Sequence, residues 1–233
     1  MSYNESIKEQ EQSKNVQDMF NNIADKYDFL NGVLSFALDD NWRKTAIKLS
    51  NIKEGHNVLD LACGTGDMMS EIIKQHPNVN IYGADFSINM LNISSKKLPA
   101  VPLTAADAHN LPFKENAFDR LTMAFGFRNV TDKQLGLSEL YRVIKPGGKV
   151  CILELTKPEN SITGFFYKIY FKHILPFIGG IFSSRKAYKY LPNSVYNFPK
   201  QKEYKQMIEN AGFKKIHFKT LVFGAVTIAL MEK

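Results

Sequence analysis

Two acidic residues and a pair of glycines carry the most chemical information in this chain. Val58-Leu-Asp-Leu-Ala-Cys-Gly-Thr-Gly-Asp67 is followed by Ile81-Tyr-Gly-Ala-Asp85. The first stretch reads as a buried strand (Val58, Leu59, Leu61) that breaks at a Gly-rich turn and enters a helix. The second reads as a strand ending in a carboxylate. This is the plan of a nucleotide-type site at the carboxyl edge of a parallel sheet. Asp85 is placed to accept hydrogen bonds from a ribose diol. Gly64 and Gly66 allow a tight turn and a close approach of ligand to backbone. A ligand-free turn is the plain alternative.

The details depart from the dinucleotide fingerprint. No third Gly stands at the expected place, and no Lys-Ser/Thr pair of a P-loop follows. Asp67 lies where a pyrophosphate would meet the helix start, and its carboxylate would repel one. A cationic or neutral adenosine compound fits better, and S-adenosyl-L-methionine is such a compound. Its ribose would meet Asp85, its amino-acid portion would lie over Gly64–Gly66, and its sulfonium tolerates nearby acids.

The elements that must position these residues alternate. Strands are expected at 57–62, 79–84, 101–105, 118–124 and 149–155, with helices at 67–76, 87–96 and 132–143 between them. Gly147-Gly148 after Pro146 should end the last of these helices. A further helix at 200–211 ends at Gly212, and strand-like runs at 213–220 and 222–231 close the chain as a hairpin. The expected fold is a doubly wound, mostly parallel seven-stranded α/β sheet with an antiparallel C-terminal hairpin. Ahead of it, apolar residues recur at helical spacing from Val16 to Leu30. A second helix follows through Trp42, Ala46, Ile47 and Leu49, capped by Asp40 or Asn41. Residues 1–14 are expected to be disordered, and 15–233 to form one domain.

The segment 160–199 breaks the rhythm. Phe165-Phe-Tyr-Lys-Ile-Tyr-Phe-Lys-His-Ile-Leu-Pro-Phe-Ile-Gly-Gly-Ile-Phe182 is more apolar than a loop needs, yet Pro176 and Gly179-Gly180 break it. It reads as a helical cap, packed on the sheet or serving as a lid over an apolar substrate tunnel.

Composition sets the class. The chain has 233 residues, 44% hydrophobic and 23% charged, enough for a full core in one domain. Its two cysteines, Cys63 and Cys151, lie in or beside apolar strands and read as reduced core residues, not as a disulfide or metal site. Met1–Asn15 carries no apolar run of a secretory signal, and no stretch is long enough to span a bilayer. A cytoplasmic location is expected. The net charge of +7 is uneven: 17 Lys/Arg stand against 19 Asp/Glu through residue 156, and 12 against 3 over residues 157–220. That basic surplus suits an anionic membrane surface or nucleic acid, unless it is merely solvated.

Together these motifs resemble the class I S-adenosylmethionine-dependent methyltransferases. More narrowly, the chain is similar to the ubiquinone/menaquinone-biosynthesis C-methyltransferase family, and most to its menaquinone branch. The resemblance runs from about Val16 to Gly224. It rests on Met19-Phe-Asn-Asn-Ile-Ala-Asp-Lys-Tyr-Asp28, Asn31, Leu34-Ser35, Trp42-Arg43, the turn to Asp67, Asp85-Phe-Ser-Ile-Asn-Met-Leu91, Asp107-Ala108 and Leu111-Pro-Phe113. Phe125-Gly-Phe-Arg-Asn-Val130 is the most specific piece, and Arg142-Val-Ile-Lys-Pro-Gly-Gly148, Glu154, Pro158, Tyr188, Tyr190-Leu191 and Phe198-Pro199 continue the pattern. Two departures stand out. Ala37 replaces the usual Gly, and Val226-Thr-Ile-Ala-Leu replaces a stretch that usually carries a His and a Gly.

The resemblance implies methyl transfer to a ring carbon of a polyprenylated quinol, demethylmenaquinol to menaquinol, with a ubiquinone-precursor benzoquinol or another apolar acceptor as alternatives. It implies cofactor contacts from Asp60, Gly64, Thr65, Gly66, Asp85, Phe86, Asp107, Ala108 and Ala124, with Asp107 accepting from the adenine amine. It places Arg128, Asn129, Phe165 and Tyr188 toward the acceptor. Ring carbon becomes nucleophilic when a neighbouring hydroxyl, of reference pKa about 10, ionises. Arg128 suits that oxyanion and Tyr27 suits proton relay or orientation. Capping of the 132–143 helix or pairing with Asp119 is the alternative for Arg128, and a helix core position is the alternative for Tyr27. Asp107 and His109 are the alternative bases. A homodimer is left open, and peripheral contact with the membrane follows from the tail of the acceptor. A nucleic-acid enzyme is disfavoured, because Ala124-Phe-Gly-Phe127 stands where base-amine methyltransferases carry Asn/Asp-Pro-Pro-aromatic, and Cys63 is wrongly placed for a pyrimidine nucleophile.

Overall fold

The protein is described from a computed structural model that covers residues 3–158, 163 and 185–233. Seven strands form one sheet: β1 (Asn57–Leu61), β2 (Asn80–Asp85), β3 (Leu103–Ala105), β4 (Phe118–Ala124), β5 (Ile144–Leu155), β6 (Lys214–Leu221) and β7 (Val226–Glu232). Their order is β3-β2-β1-β4-β5-β7-β6. The first five run parallel, and β7 lies antiparallel to both β5 and β6. The expected doubly wound sheet with its terminal hairpin is therefore present.

Helices cover both faces, and the strands are written for that. Val58 packs with Ala46 and Ile47 of α3 (Asp39–Ser50) and with Met68, Met69 and Ile72 of α4 (Asp67–Gln75). Leu59 and Leu61 point the other way, into a cluster with Leu137 and Leu140 of α6 (Lys133–Val143) and Tyr204 and Ile208 of α8 (Gln201–Asn210). The same alternation places Cys151 and Leu153 in the first cluster and Val150 and Ile152 in the second. A strand buried on both faces carries apolar residues on both, as Val58, Leu59 and Leu61 of β1 do, with Asp60 the polar exception. Helix α5 (Ile88–Lys97) starts at Ser87, whose hydroxyl accepts the Met90 N–H, and Asp132 caps α6 by accepting from Leu135. Helix α7 (Arg185–Tyr196) precedes α8.

Several boundaries differ from expectation. The stretch expected to be disordered is helical from Tyr3, in α1 (Tyr3–Ile23). Its Glu, Lys and Gln residues are good helix formers even without an apolar stripe. The expected helix from Val16 to Leu30 is broken by a 3-10 turn at Ala24–Lys26 and resumes as α2 (Tyr27–Leu34). Neither Asp40 nor Asn41 caps α3, which starts at Asp39 with Leu38 in the cap position. Strand pairing in β5 begins at Ile144, so Pro146-Gly147-Gly148 lies inside the strand at an irregular register opposite Phe118–Arg120. The divergent Val226–Leu230 run is interior strand: Ile228 and Ala229 are buried and pair with Leu153 and Ile152.

Candidate active site

The strand order reverses direction at β1, which lies between β2 and β4. Ligands of open α/β sheets bind at the carboxyl ends of strands at such a point. A cleft with about 790 Å³ of empty space, part of it open to solvent, lies there. Val16, Gln17 and Phe20 of α1 and Tyr27 of α2 roof it; Asp85, Phe86 and Met90 form one side; Asp107, Ala108 and His109 another; and Ala124–Gly126, Asn129 and Val130 a third. Helix α1 is tied down by Gln17 Nε2 donating to the Phe86 carbonyl (2.7 Å) and by the Ser87 hydroxyl donating to Asn21 Oδ1 (2.5 Å).

The turn after β1 is tight for a reason visible at two positions. Gly64 has φ +55° and Gly66 φ +92°, both left-handed. A Cβ on Gly66 would lie 2.8 Å from Ser94 Oγ, so this residue shapes the turn against α5 and does not line the cleft. Gly64 does line it, beneath the Tyr27 ring.

The Gly64 N–H donates to Asp85 Oδ2 (2.8 Å), and the Ser87 N–H donates to Asp85 Oδ1 (2.8 Å). The carboxylate is buried, which pushes its pKa up, while the backbone donors oppose the rise. Each oxygen keeps a further lone pair for a ligand hydroxyl.

A smaller hollow continues beside the turn, lined by Tyr27, Asn31, Arg43, Asp60, Thr65 and Asp67 among others. Asp60 Oδ1 accepts from the Thr122 hydroxyl (2.7 Å), whereas Oδ2 is buried with no partner. Burial raises the Asp60 pKa to about 7. Arg43 is buried and pairs with Asp39 (2.8 Å), Asp40 (3.0 Å) and Asp67 (3.3 Å). Asp67 also pairs with Lys97, and Asp28 accepts from the Thr65 hydroxyl (2.5 Å). Arg43 and Asp67 were not among the expected site residues. The Asp39/Arg43 spacing of one helical turn signals that pair, but no local spacing shows that Arg43 reaches Asp67, 24 positions on.

Asp107 Oδ1 lies 2.6 Å from His109 Nδ1, and that bond lowers its pKa. His109 Nε2 accepts the Asp132 N–H (3.1 Å). Both ring nitrogens are thus engaged, which leaves His109 ill suited to act as a base.

Arg128 lies behind the cleft wall rather than in it, in the 3-10 turn Phe127–Asn129. Its Nη1 is 2.8 Å from Glu154 Oε1 and also donates to the Phe125 carbonyl, and its backbone N–H donates to Glu154 Oε2 (2.9 Å). Burial opposes the charge, and Glu154, together with Tyr27 and Tyr190, outweighs it, so the pKa is raised. Its Nε is buried without a partner. Asp119 instead pairs with Lys145, and Asp132 supplies the helix cap, so neither alternative partner takes Arg128. Asn129 reaches the cleft, and its Oδ1 accepts from the Tyr190 hydroxyl (3.0 Å). Glu154 and Tyr190 appear in the sequence pattern, but nothing in their spacing shows that they face this loop. Tyr27 packs edge-on to Phe20, and burial raises its pKa. Phe165 and the Tyr188 side chain lie outside the described residues. Among the described residues no cluster suits a metal ion.

Comparison with known proteins gives a consistent picture. The profile of the ubiE/COQ5 methyltransferase family matches residues 6–233. The chain is 44% identical to the ubiquinone/menaquinone biosynthesis C-methyltransferase UbiE of Geobacter sulfurreducens, over 96% of the chain and 90% of that protein. It is 43% identical to the demethylmenaquinone methyltransferase of Thermus thermophilus, over 92% of the chain and all of that protein. Among solved structures, the [4+2]-cyclase SpnF aligns with a TM-score of 0.69 at 15% identity, covering 94% of this chain and 95% of that one. Phosphoethanolamine N-methyltransferase 2 of Haemonchus contortus with S-adenosyl-L-methionine aligns at 0.63 and 16% identity, covering 83% and 52%. At these identities the two structures speak to the fold alone.

Proposed function

The chain belongs to the ubiE/COQ5 methyltransferase family, and from that premise we propose that this S-adenosylmethionine-dependent enzyme methylates a ring carbon of a polyprenylated quinol, demethylmenaquinol. The observation that carries the reading is a cleft whose lining combines carboxylates with apolar side chains. Asp85 and Asp107 line it together with Val16, Phe20, Phe125 and Val130, and Asp60 lies in the adjoining hollow.

The residues suit the cofactor. The orphaned Asp60 Oδ2 offers a buried acceptor to an α-ammonium, and a buried acceptor without a donor is costly. Arg43 in the same hollow suits an α-carboxylate, Asp85 suits the ribose diol, and Asp107 suits the adenine amine. Phe86 and Ala108 would flank the base, and Ala124 lies where both spaces meet. When bound, S-adenosylmethionine supplies an electrophilic methyl group on a positively charged sulfur.

The chain's own residues prepare the acceptor. The cleft must hold the quinol close and aligned, which supplies much of the rate. The quinol hydroxyl beside the reacting carbon must pass its proton to solvent water as that carbon attacks, and the ring proton replaced by the methyl group leaves to water in turn. Tyr27, with its raised pKa, stays protonated at neutral pH. It therefore donates to the developing oxyanion and does not act as the base. Asn129, held by Tyr190, offers its amide as a second donor. Arg128 contributes positive charge from behind the wall, moderated by Glu154, and such buried charge acts strongly on an oxyanion.

A polyprenyl tail keeps the acceptor in a bilayer, so we place the enzyme at an anionic membrane surface. No described helix is long and apolar enough to cross a membrane. The basic surplus over residues 157–220 supports this reading.

The test is incubation of the purified protein with labelled S-adenosylmethionine and, separately, demethylmenaquinol and the demethylated ubiquinol precursor. Label should enter the naphthoquinol. Transfer to the benzoquinol alone would reassign the ring, and transfer to neither would reject the quinol assignment.

A further inference from the structure

We infer that His109 is a positioning residue that fixes the Asp107 carboxylate for the cofactor's adenine amine and thereby sets selectivity for adenine over its deaminated counterpart. This rests on the reading above that Asp107 accepts from that amine.

Asp107 is not on a strand. It opens a turn in which the Asn110 N–H donates to its carbonyl (3.0 Å), and its side chain is 42% exposed. A carboxylate so placed would rotate freely unless braced. The brace comes from His109, twice over. The imidazole Nδ1 lies 2.6 Å from Asp107 Oδ1, and the His109 backbone N–H donates to the same oxygen at 2.9 Å.

The far side of the ring fixes the direction of these bonds. Nε2 accepts the Asp132 N–H at 3.1 Å and lies 3.2 Å from the Thr131 hydroxyl. A backbone N–H only donates, so Nε2 must present its lone pair. The proton of the neutral ring then sits on Nδ1 and points at Asp107. Asp132 is itself held at the α6 N-terminus, where its side chain accepts the Leu135 N–H (2.9 Å). A continuous chain of bonds thus runs from the start of α6, through the imidazole, to a carboxylate on the cleft wall.

The consequence is specificity. With Oδ1 taken by two donors, Oδ2 is the oxygen left for a ligand. A carboxylate fixed there accepts from an exocyclic amine. The deaminated base carries a carbonyl at that position, which a carboxylate repels, and its nearest donor is the neighbouring ring N–H. A carboxylate free to swing reaches that N–H; a braced one does not. Sites built to pair one polar group reject analogues that leave it unpaired.

Calorimetry with S-adenosylhomocysteine and S-inosylhomocysteine tests this without turnover. Wild-type protein should favour the adenosine form by about tenfold to a hundredfold, the worth of one charge-assisted hydrogen bond. In His109→Ala the ratio should fall to within about threefold, the remainder of the adenosine site being untouched. His109→Asn keeps an amide donor and should restore part of the ratio. Because the ratio compares two ligands on one preparation, loss of folded protein does not move it. In an Asp107→Asn background, His109→Ala should change nothing further. A wild-type ratio in both His109 variants, with the ratio lost in Asp107→Asn, would overturn the positioning role alone. A wild-type ratio in Asp107→Asn would overturn the assignment of Asp107 to adenine, and the inference with it.

Discussion

Arg128 and Glu154 form a buried ion pair, 2.8 Å apart, at the foot of the loop that presents Asn129 to the cleft. The carboxylate is also held by the Arg128 backbone N–H, so one residue of β5 fixes both the charge and the path of the turn after β4. Removing one partner of such a pair leaves an uncompensated buried charge, which costs about 3–5 kcal/mol. Glu154→Gln should therefore unfold at markedly lower urea concentration than wild type. Arg128→Leu should lose turnover strongly while keeping S-adenosylmethionine affinity near normal, since Arg128 does not face the cofactor. Arg128→Lys should recover turnover only in part, because an ammonium does not reproduce the guanidinium fork. Wild-type turnover in both Arg128 variants would remove the residue from the chemistry.

Asp85 should be the strongest single determinant of cofactor affinity. Asp85→Ala removes the ribose acceptors and frees the Gly64 N–H that the carboxylate holds. Loss of about 1.5–3 kcal/mol, on the order of tenfold to a hundredfold, is expected by calorimetry with S-adenosylhomocysteine. Unchanged affinity in a folded variant would exclude the role.

Asp60 makes a prediction in pH. Its folded pKa of about 7 lies above the unfolded value near 4, because burial disfavours the charge. Between those values the folded state binds the extra proton, so the contribution of Asp60 to stability is most favourable below about pH 4 and is lost as pH rises through 7. Asp60→Asn should abolish this loss and stabilise the cofactor-free protein at pH 8 by about 2–4 kcal/mol relative to its effect at acid pH. The same substitution should weaken S-adenosylmethionine binding at pH 8. Wild-type affinity should rise with pH through 7, since the ammonium pairs with the ionised carboxylate. A flat affinity profile from pH 6 to 8 would separate Asp60 from the ammonium.

Ala37 occupies a left-handed conformation with φ +56°, which L side chains adopt at a cost of about 1–2 kcal/mol. Its side chain is exposed, so a glycine there loses little packing. Ala37→Gly should stabilise the protein by about 0.5–1 kcal/mol after the entropy of the added glycine is counted. Thermal unfolding will register this as a rise of a few degrees, and a fall would show that the turn depends on the methyl group.

The proposed membrane contact should be electrostatic and reversible. Arg185, Lys186 and Lys189 together should then contribute about 3 kcal/mol, at about 1 kcal/mol per cation near an anionic surface. Sedimentation with anionic vesicles should bring the protein down at low salt and release it as the Debye length shortens. A variant with all three charges neutralised that pellets as well as wild type, at low and high salt alike, would move the attachment elsewhere.

Much of this was legible before any coordinates. Alternating strands and helices, the Gly64–Gly66 turn and Asp85 at the end of β2 are local features, and periodicity and backbone freedom report them directly. Ala37 showed as a departure from glycine, and its left-handed φ explains why glycine belongs there. Helix ends were less legible. Nothing in the spacing of Val16–Leu30 marks the 3-10 turn at Ala24–Lys26, across which Phe20 still packs edge-on against Tyr27.

What the sequence determined by itself was the fold class, the cofactor turn and the residue types at the site, because each depends on neighbours within a few positions along the chain. Only the tertiary structure decided what those residues face. Arg128 was legible as a cation, but its Glu154 partner stands 26 positions away on the adjacent strand. His109 was legible as a titratable group, but its Nε2 is bonded by a backbone N–H 23 positions on, across the cleft wall. Charge and proton position are set by partners that folding brings together, and no local spacing encodes them.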